Sequence, residues 1–281
     1  MDINKFIRSC WHNNKIRYAL ILAFSALLAA VFGFQYLKYR GVKPSRKSRK
    51  DFRMACAVAP LPESFSLPLP IIKNQQAVSS CCAHSMSYVS ERVLNIDKAS
   101  VGWIYGYRPT GYFQGEGMYP REALKTINQL GVVPYDDFPF NEEVPGVIQH
   151  VNSEILNLKP KAAPHKSATF FALKSTDEIK TCILKYGPVS IMYPVCQNFE
   201  DAVNGKIEKM GKDFIGYHQV TLFGWKPGYW LMVNSWGPTW ANAGTAWVSF
   251  DYPWQEAWGF STDPNAGFNP PRKWWDIFGL A

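Results

Sequence analysis

No disulfide framework is legible in this sequence. Of its six cysteines, Cys81 and Cys82 are adjacent, while Cys10, Cys56, Cys182 and Cys196 are scattered. That suits a reducing compartment or a bacterial envelope and excludes a cystine-stapled scaffold. Metal-ligand spacing is missing too. His150 and His165 have no Cys, Asp or Glu at such spacing and read as ordinary surface or loop residues, so no metal is expected. Acidic residues are scarce at the start: residues 1–53 hold 12 Lys/Arg and 2 Asp/Glu, whereas the remaining 228 hold 18 and 20. The formal charge of +8 is therefore local. The body is near neutral, which removes the support for a nucleic-acid partner.

Charge is also absent from residues 18–37, YALILAFSALLAAVFGFQYL. As a helix this run would span about 30 Å, the thickness of a bilayer's hydrocarbon core, with Tyr18, Tyr36 and Tyr39 at interfacial depth. A cleaved signal peptide and a buried helix are the rival readings. Against the first, the run exceeds a usual h-region and no clean A-x-A site follows it. Against the second, basic residues crowd both ends. The expectation is a single-pass membrane protein: a basic segment at 1–17, a transmembrane helix in the lipid bilayer at 18–37, a basic juxtamembrane linker at 38–60, and a body at 61–281 with a short C-terminal extension. Eight basic residues follow the run and four precede it. That bias leans to a cytoplasmic body, while a basic leading segment on a signal anchor favours the opposite side. The oligomeric state is not legible.

What the chain does hold is concentrated in Lys73–Asn95, KNQQAVSSCCAHSMSYVSERVLN. Ala83, Met86, Val89 and Val93 recur at helical spacing and predict one buried face. Ser79 and Ser80 stand where helix caps belong. A cysteine in the first turn meets the positive end of the dipole and unpaired N–H groups, which lower a thiol's pKa. A glutamine six residues upstream is near enough to donate to a developing oxyanion. Two registers satisfy that spacing, Gln75 with Cys81 and Gln76 with Cys82.

Downstream, Pro120–Leu130 predicts a helix with Ala123, Leu124, Ile127 and Leu130 inward. Thr176–Tyr186 predicts another, acidic in its first turn. Gly187-Pro188 stops it before the strand VSIMYPV. Alternating runs at 218–225, 229–234 and 245–250 predict antiparallel strands, with His218 opening the first and Asn234 ending the second. A further strand is expected around 256–260. After it, Trp274, Trp275, Ile277 and Phe278 in the tail are expected to pack on the body. His84, one turn after Cys81, is expected to pack in the helix interface.

The run Asn74, Gln75, Ser80, Cys81, Ala83, then His218, then Asn234-Ser235-Trp236-Gly237 with Trp240 and Gly244, resembles the papain-like cysteine peptidases. The Cys-to-His interval is 137 residues and the Cys-to-Asn interval 153, close to the family's. The first register keeps the asparagine and alanine of the motif, so the resemblance favours Cys81. The C-x-A-H run and the EGMYP stretch are similar to bacterial members.

The resemblance implies an α+β fold in which a helical subdomain faces an antiparallel β-barrel-like subdomain across a cleft. It implies a cysteine peptidase, endopeptidase in type, that takes a peptide or protein substrate through a thioester with no cofactor. Cys81 would be the nucleophile, paired with His218; Asn234 would orient the imidazole, and Gln75 would hold the oxyanion. Gly117, before Met-Tyr-Pro, would offer main-chain hydrogen bonds to an extended peptide. Gln219 would line the specificity pocket, and Trp236 would cover the Asn–His contact. Cys82 stands where many members have Trp, and Val78 where secreted relatives have a disulfide cysteine. Secreted members carry an inhibitory pro-segment. The space between the anchor and Leu61 leaves no room for a long one, so no zymogen stage of that kind is expected. A fold-retaining binding protein and a thiol acyltransferase are the alternatives; the intact Gln75, Cys81, His218 and Asn234 argue against the first.

Overall fold

The computed structural model describes residues 42–46, 48, 51–54, 60–107, 117–139 and 157–268. The apolar run at 18–37, Cys10, Cys56, His150 and the aromatic tail lie outside the described residues.

In chain order the elements are β1 (Arg53–Met54), β2 (Phe65–Ser66), α1 (Cys81–Val93), α2 (Val101–Gly106), α3 (Pro120–Gln129), α4 (Lys159–Ala162), β3 (Thr169–Leu173), α5 (Thr176–Lys185), β4 (Val189–Val195), α6 (Gln197–Asp201), β5 (Lys206–Ile207), β6 (Gly216–Lys226), β7 (Tyr229–Val233), β8 (Thr245–Ser249), β9 (Glu256–Ser261) and β10 (Gly267–Phe268). The strands form one sheet, ordered β10-β1-β3-β9-β4-β6-β7-β8-β5, with β2 joining β6 from the side. The path is open, with β10 and β5 at its ends. Pairing is antiparallel except for β1–β3 and β5–β8.

Apolar patterning explains the layering. All seven residues of β4 are buried, as expected of a strand flanked on both edges and covered on both faces. Helices α1, α2 and α3 pack as a second layer around Ala83, Met86, Trp103, Leu124 and Ile127, while the sheet builds its own core from residues such as Ile191, Trp230 and Phe199. Pro120 opens α3 at its first turn, where a missing N–H costs nothing. Ser175 caps α5 by accepting from Glu178 N–H at 3.2 Å, and Asp177 and Glu178 complement the dipole.

Helix α1 departs from expectation. Its first ten residues are all buried, not one face of them. The serines among them are accommodated by hydrogen bonds: Ser85 Oγ donates to Val220 C=O (2.7 Å), Ser87 Oγ to His84 C=O (2.7 Å) and Ser90 Oγ to Met86 C=O (2.8 Å). A buried hydroxyl with a partner costs little. Part of the stretch expected as a linker is also packed on the body, since Arg53–Met54 lies in the sheet between β3 and β10.

The membrane localisation expected from the sequence is corrected. Among the described residues no helix is long and apolar enough to cross a membrane. The longest described helix has 13 residues, against about 20 needed for a span, and it is enclosed by protein. The run at 18–37 lies outside the described residues.

Gly244 shows how tightly the sheet end is built. Its φ is +83°, and an added Cβ would lie 2.4 Å from Ile72 Cγ2. Gly228 has a similar φ of +80° with nothing within 4 Å. Backbone strain alone costs about 1 kcal/mol, and overpacking adds about 1–3 kcal/mol. Gly244→Ala is therefore expected to lower unfolding stability by about 2–4 kcal/mol and Gly228→Ala by only about 1 kcal/mol. Urea denaturation of the two variants checks the difference, and equal losses would contradict the packing account.

Candidate active site

The end of β7 and the start of β6 meet at the same level. Thr221 pairs with Val233, so three residues further on His218 lies level with Trp236. His218 Nε2 is 2.8 Å from Asn234 Oδ1. The same oxygen accepts Ser235 N–H at 2.8 Å. Because a backbone N–H can only donate, that atom is the carbonyl oxygen of the amide, and His218 must carry its proton on Nε2. Nδ1 is then the basic nitrogen.

Asn234 is held by its main chain as well. Its N–H donates to Gly244 C=O at 3.0 Å, and its C=O accepts Tyr88 OH at 3.3 Å. Trp236 stacks on His218 at 4.5 Å between centroids and 27° between planes. Phe199 meets both rings edge-on. This aromatic wall excludes water from the Asn–His bond, which strengthens it.

Cys81 opens α1. Ser80 occupies the N-cap position, yet its hydroxyl makes no cap; it turns to His84 Nδ1 at 3.1 Å and Val78 C=O at 3.4 Å. The first-turn N–H groups are thus left to the thiol. The sulfur receives backbone hydrogen bonds from Gln219, Cys82 and its own residue, but burial dominates and pushes the thiol up to about 12. The expectation of a thiol acidified by the helix terminus is corrected on this point. Removing a thiolate from water costs more than a few N–H donors return. Cys82 is raised well above the ordinary thiol value too, by burial first and then by Cys81 and Glu256. His84 lies inside, as expected, and burial, followed by the Lys73 charge, pushes it down to about 3. It is a neutral core histidine at physiological pH.

The segment carrying Gln75 is tied to the one carrying Asn234. Gln75 N–H donates to Ser235 C=O (2.8 Å) and Gly237 N–H to Lys73 C=O (3.1 Å). Gln75 Oε1 accepts Ser235 Oγ at 2.7 Å, and its Nε2 donates to Val78 C=O at 3.1 Å. With Oε1 pinned, the amide presents its N–H side toward the start of α1. Tyr88 OH also accepts Lys73 N–H at 2.6 Å, so one phenol braces both segments.

Of the residues expected to bind substrate, Trp236 stacks on the imidazole. Gly117 has a φ of +105°, and its N–H donates to Tyr105 OH at 3.0 Å. Gln219 is buried with its amide on Ser190 Oγ at 2.8 Å, beside Ser85 and Thr221. Its main chain, not its side chain, reaches the sulfur. Sequence reasoning missed Ser235 and Tyr88 as positioning residues. Ser235 stood inside the N-S-W-G run, and Tyr88 lies two turns after Cys81 on the same helix face. Among the described residues no group of His, Cys, Asp and Glu could hold a metal ion.

The model of the papain family cysteine proteases matches residues 66–257. Among curated relatives, a cysteine protease of Blomia tropicalis is 26% identical over 209 residues, 67% of this chain and 61% of its own. Cathepsin B-like cysteine proteinase 5 of Caenorhabditis elegans is 26% identical over 216 residues, 62% and 63% of the two chains. This chain thus spans about three fifths of the length of these relatives. Similarity is not to bacterial peptidases in particular, since cathepsin B-like proteins of C. elegans are among the relatives. Among solved structures, xylellain, a cysteine protease from Xylella fastidiosa, shares the fold with a TM-score of 0.70 at 20% identity, covering 79% of this chain and 96% of that one. Procathepsin B S9 from Trypanosoma congolense does so with 0.64 at 15% identity, covering 80% and 86%.

The buried thiols make stability depend on alkaline pH. Both have folded pKa values raised above the ordinary 9.0, so their contribution is full below pH 9 and is lost as pH rises toward the folded values. Between pH 9 and 11, unfolding free energy should fall more steeply in the parent than in Cys82→Ala. The difference should approach about 1.4 kcal/mol per pH unit. Urea titrations at stepped pH check this, and parallel slopes would mean that Cys82 ionises in the folded protein.

Proposed function

The chain belongs to the papain family of cysteine proteases, and on that premise we propose that it is a cysteine peptidase using Cys81, His218, Asn234 and Gln75. The observation that carries the reading is the His218 Nε2–Asn234 Oδ1 bond of 2.8 Å, set beside a thiol bonded to the backbone of Gln219.

In its buried setting Cys81 is a thiol, so proton transfer accompanies attack. His218 Nδ1 takes the thiol proton as the sulfur adds to the peptide carbonyl. The tetrahedral oxyanion is held by Cys81 N–H and by the Gln75 amide, whose second N–H lies beyond the bond to Val78. His218 gives its proton to the leaving amine, and the C–N bond breaks to leave a thioester. Water then enters, His218 removes its proton, and the thioester collapses to acid and thiol. Asn234 keeps the imidazole in the Nε2–H tautomer throughout and stabilises the imidazolium. Gly117 and Gln219 shape the cleft through their main chains.

Prolonged incubation of the full chain with an epoxide-type thiol-protease inhibitor, followed by peptide mapping, tests the reading. The adduct is expected on Cys81, lost in Cys81→Ala and kept in Cys82→Ala. Gln75→Ala should lower kcat about 10²–10³-fold on a protein substrate, with the fold retained. An adduct on Cys82 alone would reassign the nucleophile, and a folded chain that neither labels nor hydrolyses would refute the peptidase reading.

A further inference from the structure

His84 is fully buried in α1, four residues after Ser80, and the reaction proposed above gives it no part. Its surroundings are nonetheless specific. Nδ1 lies 3.1 Å from the Ser80 C=O oxygen and 3.1 Å from Ser80 Oγ. A carbonyl oxygen can only accept, and a bare nitrogen lone pair at that distance would repel it, so the ring carries its proton on Nδ1. The main-chain N–H of His84 donates to the same carbonyl at 3.0 Å. Ser80 C=O thus receives two N–H donors from one residue, one for each lone pair. The side-chain bond runs back one turn along the helix, as serine and threonine hydroxyls do. Burial keeps the ring neutral, so its single N–H is committed here.

The peptide held in this way is the one that joins Ser80 to Cys81. A trans peptide is planar, and its C=O and N–H point in opposite directions. Fixing the Ser80 oxygen therefore fixes the direction of Cys81 N–H, the main-chain donor proposed above for the oxyanion. That direction needs a holder. Ser80 sits at φ −108° and ψ 18°, not in the extended conformation usual for an N-cap, and its hydroxyl caps nothing. No capping bond sets the rotation of the Ser80–Cys81 peptide. Ser80 N–H donates to Val78 C=O at 2.8 Å, which orients the preceding peptide only. A second donor on a carbonyl also polarises its peptide and makes the N–H at the far end a stronger donor.

We propose that His84 is a positioning residue for the oxyanion hole: its ring N–H holds the Ser80–Cys81 peptide so that Cys81 N–H faces the developing oxyanion. The proposal rests on the peptidase reading of Cys81. His84 acts through one peptide plane, not on the reacting atoms. The two oxyanion donors then have separate supports. Gln75 is set by Ser235 and Val78, and Cys81 N–H is set by His84. His84→Phe would leave the neighbouring polar groups with partners. Ser80 C=O keeps the main-chain N–H, and Ser80 Oγ keeps Val78 C=O at 3.4 Å. What it removes is the second hold on the peptide's rotation.

The test compares the full chain with His84→Phe and with His84→Asn, whose amide places an N–H where Nδ1 stands. Two probes of Cys81 are read by mass spectrometry, with the buried Cys182 as an internal check that the body stays folded. Iodoacetamide alkylates the sulfur at a saturated carbon and forms no oxyanion. Leupeptin, a peptide aldehyde, adds to the sulfur reversibly and puts its oxygen in the oxyanion's place. Its affinity is read from the protection it gives Cys81 against alkylation. In His84→Phe that affinity is expected to fall about three- to tenfold, the worth of one neutral hydrogen bond, while alkylation without the aldehyde keeps the parent's rate. His84→Asn is expected to recover most of the loss. On fluorescein-labelled casein, kcat should fall by the same factor with KM unchanged. Equal leupeptin affinity in His84→Phe and the parent would overturn the inference and leave the peptidase reading intact. So would a loss in His84→Asn as large as in His84→Phe, or an alkylation rate that falls in step with the affinity. A parent whose Cys81 leupeptin does not protect would refute the peptidase reading, and the inference with it.

Discussion

One amide oxygen, Asn234 Oδ1, accepts hydrogen bonds from His218 Nε2 and from Ser235 N–H, both at 2.8 Å, and much of the molecule serves to keep it there. Gly244 C=O and Tyr88 OH fix the backbone of Asn234 from opposite sides. The β6–β7 register sets the histidine level with Trp236, and Trp236 roofs the imidazole. Ser235 reaches back to Gln75, so the His218 imidazole and the Gln75 amide share one support. Tyr88 braces Lys73 at the head of the same segment. A shift of Asn234 would disturb tautomer, imidazole orientation and the Gln75 amide together. Groups coupled in this way do not act additively.

Burial shapes the chemistry as strongly as geometry does. Hydrogen bonds from the helix start and from Gln219 favour a thiolate, yet enclosure outweighs them and the thiol of Cys81 stays protonated. The same enclosure holds His84 neutral within one turn of it. A low-dielectric site resists standing charge but amplifies charge that develops beside fixed donors. On the proposed peptidase reading, such a site favours a proton shared during attack over an ion pair held in waiting.

Much of the fold was legible because strong local patterns met no tertiary conflict. VSIMYPV became β4 residue for residue. Helix α5 kept its acidic first turn. The N-S-W-G run and His218 were legible as chemistry because residue types at a fixed interval are a long-range signal. What failed to show were properties set by neighbours distant in sequence. Ser80 looks like a cap but prefers His84 and Val78. Gln219 looks like a pocket residue but is bound to Ser190 on an adjacent strand. The buried face predicted for α1 does not include its serines, and Ser85, Ser87 and Ser90 each found a buried acceptor. Residues 42–54 read as a linker since lysine, arginine and serine dominate their composition. Only Arg121, Glu256 and the sheet edge reveal Ser45, Arg46, Asp51 and Arg53–Met54 as packed.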